Sequence, residues 1–166
     1  MTTAESRNSG LAERIATLAG ESGLTVAAAE SLTSGGFSSA LGAASDSSDW
    51  FVGGVVAYSR RVKHEVLGVP EGPVVCAEAA TAMAAGVRSM LGADVAVALS
   101  GAGGPDPQDG QAPGTVYLAA DCDADSQVQR VQLSGPPSEV VQQSVTLALE
   151  MMLRLLEKQS AGADDA

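Results

Sequence analysis

A single three-layer α/β/α domain on a mixed β-sheet is the fold this sequence predicts, and three observations carry the prediction. Short, almost wholly apolar runs at 24–29, 50–58 and 95–99 each end in a polar loop rich in Gly and Ser, as strands buried on both faces do. Segments with helical periodicity separate them. Two further strands, Thr115–Asp121 and Gln127–Leu133, flank the polar turn Asp121–Ser126, which reads as a hairpin and adds antiparallel strands to the sheet. With 166 residues and no linker or internal repeat, the chain is one domain by length.

Taken in order, residues 11–20 form an amphipathic opening helix and Leu24–Ala29 the first strand. Thr33 and Ser34 can cap a helix running through Phe37 and Leu41. Trp50–Ser59 reads as a second buried strand, followed by a short helix at Arg60–Leu67 with Val62, Val66 and Leu67 turned inward. An Ala-rich helix at Glu78–Leu91 stops at Gly92. Strands follow at Ala93–Leu99, Thr115–Asp121 and Gln127–Leu133. The terminal helix, Glu139–Lys158, is apolar at Val141, Val145, Leu149, Met152 and Leu156. The small, polar stretches 1–10 and 160–166 read as disordered tails, leaving a domain at 11–159.

Composition narrows the function by exclusion. A net charge of -11 argues against nucleic-acid binding, which needs a basic surface to neutralise phosphates. No apolar run reaches a membrane-spanning length and no basic, apolar leader opens the chain, so a cytoplasmic protein is expected. Aromatic residues make up only 3%, so Ala, Val, Leu and Gly must fill the core by close backbone approach. Cys76 and Cys122 fit no metal or redox spacing. Arg60, Arg61 and Lys63 form the only tight basic cluster among nine Lys and Arg.

The chemistry concentrates at the ends of the strands. Ser31 stands where the first strand meets a helix N-terminus, where unpaired N–H groups favour an oxyanion or a phosphate; an ordinary helix cap has the same local pattern. Gly35 and Gly36 would let a ligand approach the backbone. Tyr58 and Lys63 lie near the second strand's end. On a helix, Arg60, Lys63 and His64 share a face, and like charge favours a neutral lysine amine able to act as a base. His64, the only histidine, allows a Ser31–His64–carboxylate triad, but nothing fixes an acidic partner. Gly101–Pro105 is neither a dinucleotide fingerprint nor a phosphate loop; it serves as substrate-contacting backbone or as a structural turn. Pro107–Gln111 reads as a mobile segment and a candidate lid.

The ordered set Ala29-Glu30-Ser31 with Ser34-Gly35-Gly36, Gly53–Ser59 with Lys63 and Leu67-Gly68-Val69, Met83-Ala84 with Gly86, Ser100-Gly101 with Gly104-Pro105, and Gly114-Thr115-Val116 resembles the C-terminal domain of the competence/damage-inducible CinA family. That family includes nicotinamide-nucleotide amidase. The resemblance implies hydrolysis of the carboxamide of nicotinamide mononucleotide to nicotinic acid mononucleotide and ammonia, with no metal or organic cofactor. It implies Ser31 as nucleophile, assisted by Tyr58 and Lys63. Substrate contacts are expected from Glu30, Thr33, Ser34, Gly35, Gly36, Arg60, Ser100, Gly101, Gly104 and Gly114. It further implies a homo-oligomer, with a dimer favoured, and a pyridine mononucleotide as partner rather than nucleic acid or membrane.

Departures from the family pattern concern charge. Gly135–Val141 lacks two arginines common in relatives, a lysine near Gln111 is missing, and the Val69–Pro73 connection is short. Arg60 and Arg61 are expected to restore some of that charge. The alternatives are a family member that binds a pyridine nucleotide or a partner without turnover, and a serine amidase or esterase for a substrate lacking phosphate.

Overall fold

Apolar residues buried on both faces require a sheet covered on both sides, and that is the arrangement found. The computed structural model describes residues 1–164. The elements run α1 (Thr3–Ser22), β1 (Val26–Glu30), α2 (Gly36–Gly42), α3 (Ser47–Trp50), β2 (Phe51–Val56), α4 (Arg60–Leu67), α5 (Ala77–Leu91), β3 (Val95–Gly101), β4 (Thr115–Cys122), β5 (Ser126–Gln132) and α6 (Pro137–Asp164). The sheet order is β2-β1-β3-β4-β5. β1 runs parallel to β2 and β3, whereas β4 and β5 add antiparallel. The expected three-layer mixed sheet is therefore the observed one.

β1 is buried at every position because it is central. Val26 and Ala28 face a core with Ile15, Phe37, Leu41, Leu149, Met152 and Leu156 from α1, α2 and α6. Ala27 and Ala29 face a second core with Leu67, Met83 and Val87 from α4 and α5. The second face is built largely of alanine, so its helices sit close to the sheet and to each other. Gly86 shows how close: a Cβ there would run into the backbone carbonyl of Leu67 at the end of α4. Gly86→Ala is expected to cost about 1–3 kcal/mol by forcing α4 away from α5, read as a lower urea midpoint.

Several elements differ from their sequence expectation. α1 begins at Thr3, eight residues before Leu11, so 3–10 are helix and not a tail. Thr2 and Glu5 form a capping box, Asn8 accepts a hydrogen bond from the Thr146 hydroxyl at 2.6 Å, and Arg7 pairs with Glu150. These contacts with α6 outweigh the low helix propensity of Ser6, Ser9 and Gly10. α6 likewise runs past Lys158 to Asp164; Asp165 and Ala166 of the expected tail lie outside the described residues. Within α6, Val145, Leu149, Met152 and Leu156 are buried as expected, but Val140 rather than Val141 opens its core face.

β2 is not a strand buried on both sides. It is an edge strand, and Val52 and Val56 are exposed while Phe51, Gly53 and Val55 are partly covered. The α4 face is also rotated from expectation. Val66 is 41% exposed, and the residue that goes inside with Leu67 is Lys63, 1% exposed.

Candidate functional site

The carboxyl ends of β1, β2 and β3 point to one edge of the sheet, where ligands bind in open α/β folds. Ser31 is the first residue beyond β1. Its carbonyl accepts from Ser34 N–H at 3.1 Å, and Thr33's from Gly36 N–H at 2.9 Å, winding the chain into a tight turn before α2. Ser34 and Gly35 complete the turn with φ of 49° and 101°, the left-handed region. The Ser31 hydroxyl makes no hydrogen bond among the described residues. The Thr33 hydroxyl, fully buried, also has no partner. A buried hydroxyl without a partner is costly and marks a place where a polar ligand group would be satisfied.

Neither Thr33 nor Ser34 caps α2 with its side chain. Glu30 does so from the end of β1. Its buried carboxylate accepts from Phe37 N–H and Ser38 N–H, both at 2.9 Å. Glu30 is thus a brace for the Ser31 turn, with both oxygens committed to the helix rather than offered to a substrate. Glu30→Ala leaves two amides of the first turn without acceptors and is expected to cost about 2–3 kcal/mol, measured as a loss in thermal or urea midpoint.

Lys63 reaches the same edge from α4, whose first turn is capped by the Ser59 hydroxyl accepting from Val62 N–H. Its Nζ donates to the carbonyl oxygens of Ala57 (2.7 Å) and Tyr58 (3.1 Å) just past β2. Ala57 N–H in turn donates to the Glu30 carbonyl at 2.7 Å. The lysine amine is therefore tied to the peptide that is hydrogen-bonded to the residue preceding Ser31. Burial, then the charge of Arg60, lowers the Lys63 pKa to about 8 against a smaller opposing pull from Asp109. The expected like-charge effect is present, but desolvation is the larger cause.

Tyr58 contributes its carbonyl to this arrangement; its side chain is 69% exposed. His64 is directed elsewhere, with Nδ1 2.9 Å from the Val69 carbonyl and Nε2 facing Glu71 at 3.8 Å, so no Ser31–His64 triad forms.

The loop between β3 and β4 is held, not mobile. Asp109 accepts from Val74 N–H (2.7 Å) and Val75 N–H (3.0 Å) and pairs with Arg60. Gln108 and Gln111 exchange backbone hydrogen bonds across the turn. Burial alone would raise the Asp109 pKa, but the two amides and Arg60 outweigh it and hold the carboxyl below its usual range. The expected lid is thus a pinned turn. Arg60 also donates to Gly72 O at 3.1 Å, and Arg61 pairs with Glu65, so neither guanidinium is an unpaired charge awaiting a phosphate.

Ser100 is fully buried and donates to the Val74 carbonyl, a structural role. Gly101 is packed against Thr115 O and Val116, and Gly104, at φ 86°, lies against Pro113. Gly114 donates to the Ala102 carbonyl and accepts from Leu133 N–H, at a spacing that leaves no room for a Cβ. These positions shape the loop base rather than line a cleft. Asp109 is the residue that sequence reasoning missed; a lone acid in a Pro/Gly-rich loop carries no local signal. The larger hollows, about 590 Å³ between α1 and α6 and about 840 Å³ near Leu24 and Lys158, are not lined by Ser31, which is itself buried. Among the described residues, no cluster of His, Cys, Asp and Glu could hold a metal ion, and no helix is long and apolar enough to cross a membrane.

A mixed sheet with helices on both faces, with a free serine hydroxyl and a buried lysine amine at adjacent strand ends, defines an α/β protein with a polar site at the sheet's carboxyl edge. Residues 8–156 match the CinA C-terminal domain, and the chain belongs to that family. It is 39% identical over 150 residues to a CinA-like protein of Citrifermentans bemidjiense, covering 87% of this chain and 36% of the relative. The chain spans about a third of the length of the curated relatives it matches. The crystal structure of a CinA superfamily protein from Enterobacter cloacae superposes with a TM-score of 0.85 at 33% identity, covering 90% of this chain and 92% of the other. That of the competence/damage inducible protein CihA from Agrobacterium tumefaciens gives 0.85 at 30% identity, with coverage of 90% and 95%.

Proposed function

We propose that the chain hydrolyses the carboxamide of nicotinamide mononucleotide, with Ser31 as nucleophile and Lys63 as general base. The observation that carries this reading is the placement of the lysine, whose buried amine is held by two backbone carbonyls just past β2, the strand beside β1, and becomes a base in its neutral form. A neutral amine has two N–H bonds and one lone pair. The carbonyls of Ala57 and Tyr58 use two donors, which leaves the lone pair to accept the Ser31 proton.

In this mechanism Ser31 Oγ attacks the carboxamide carbon as its proton passes to Lys63 Nζ. Amides of the Leu32–Thr33 turn stabilise the oxyanion, and the Thr33 hydroxyl finds its partner on the substrate. The C–N bond then breaks, Lys63 returns the proton to the leaving nitrogen, and ammonia departs from a Ser31 ester. Water, deprotonated by the neutral lysine, cleaves that ester and restores the serine. Tyr58 stands at the rim of the site, where its exposed side chain supports contact with substrate. A paired form of the chain belongs to the same proposal; Val52, Val56 and Tyr58, exposed on and beside the β2 edge, support it.

The test is ammonia release by the purified chain from nicotinamide mononucleotide, with nicotinamide riboside alongside. Release from the mononucleotide with a clear preference over the riboside is the expected result. Equal rates would indicate an amidase indifferent to phosphate, and release from neither would overturn the amidase reading.

A further inference from the structure

Arg60 stands one helical turn before Lys63 on α4, and its guanidinium is not left to solvent. It pairs with Asp109 and donates to the Gly72 carbonyl. Asp109, in the β3–β4 loop, has a largely buried side chain that holds two other segments: Arg60 in the first turn of α4, and the backbone amides of Val74 and Val75 ahead of α5. Ser100, at the end of β3, donates to the carbonyl of the same Val74. One carboxylate therefore joins the loop, the α4–α5 connection and the helix that carries the lysine.

We propose that Asp109 is a positioning residue for Lys63, acting through Arg60: it fixes the guanidinium beside the buried amine and offsets the positive charge that the amine faces. This rests on the reading of Lys63 as the base, and names what regulates that base. The remaining charged and titratable groups nearby are few. On α4, Arg61 is paired with Glu65, and His64 is turned to Val69 and Glu71. From the segment after β2 comes Tyr58. Packed α5 carries Glu78 in its first turn and Arg88, the latter committed to Asp121 and Asp123. Arg60 and Asp109 are the pair whose charges act on Lys63, in opposite directions.

The consequence is a signature with two signs. Removing the charge of Asp109 leaves Arg60 unopposed and makes the amine easier to deprotonate. Removing Arg60 leaves Asp109 unopposed and makes it harder. A purely structural role for the pair would move both variants the same way or not at all.

The chain has only two lysines, Lys63 and the exposed Lys158, which makes the measurement direct. With lysine labelled at Cε by carbon-13, the full chain is titrated by NMR from pH 6 to 11 in wild type, Asp109→Asn and Arg60→Gln. Asparagine keeps an oxygen for the Val74 and Val75 amides, and Arg60→Gln changes a half-exposed side chain, so a lowered or unmoved midpoint in the second variant overturns the proposal by itself even if the first fails to fold. The expected result is a Lys63 midpoint lower by about half a pH unit or more in Asp109→Asn and higher by a similar amount in Arg60→Gln, with Lys158 unmoved. Shifts of the same sign, or none, overturn the proposal. Because the readout is titration, absence of ammonia release in wild type would count against the amidase reading alone. Where turnover is measured, the acid limb of its pH profile is expected to follow the two midpoints.

Discussion

Ser31→Ala is expected to lower ammonia release from nicotinamide mononucleotide by about a thousandfold or more, the scale seen when a nucleophile is removed from a serine hydrolase, while leaving the fold intact. The argument for both halves is local. The Ser31 hydroxyl has no hydrogen-bond partner among the described residues, so its loss should cost less than about 1 kcal/mol, and the turn is held by backbone bonds and by Glu30. Activity and stability therefore separate at this position, whereas Glu30→Ala should lose both. The check is a rate assay beside a thermal midpoint for each variant; Ser31→Ala with near wild-type turnover would remove this serine from the chemistry.

Lys63→Met is expected to abolish turnover and, independently, to change how stability depends on pH. The folded lysine loses its proton near pH 8, and the unfolded one near its ordinary 10.5. Below pH 8 both states are protonated, and the folded chain bears the full cost of a buried ammonium. Between the two values the unfolded chain holds a proton that the folded chain has released, so wild-type stability rises with pH, by about 1.4 kcal/mol per pH unit and about 3 kcal/mol over the window. Methionine has nothing to titrate, so its urea midpoint should lack that rise. Parallel curves from pH 7 to 10.5 would show that the lysine is not held in its buried, easily deprotonated state. The same titration sets the expected shape of the rate profile: turnover rises toward pH 8 as the neutral amine becomes populated.

The strand ends, the Ser31 corner and the sheet class were legible because each is written over a few adjacent residues. Apolar runs of five to seven residues bounded by Gly and Ser mark β1 and β3, and the polar turn at 121–126 marks the β4–β5 hairpin. Lys63 and Ser31 were legible as a pair through the family resemblance, since no local pattern links them.

The remaining features depend on partners remote in the chain. α4 was read with Val66 inward because periodicity ranks residues by apolarity, yet Lys63 goes inside with Leu67 because two carbonyls past β2 wait for its amine, while Val62 packs against the core as expected. Glu30 reads as a polar residue at a strand end, and becomes the cap of α2 only once β1 and α2 are packed. Arg60 and Asp109 are 49 positions apart, and their pairing removes both a free cation and a mobile loop from the expected site. β2 looks as buried as β1 by composition, but its place at the edge of the sheet leaves Val52 and Val56 exposed. Apolar patterning reports where burial is favourable for each short segment. Which polar groups are buried with it, and in what protonation state, follows from long-range hydrogen bonds and desolvation that exist only after the layers have closed.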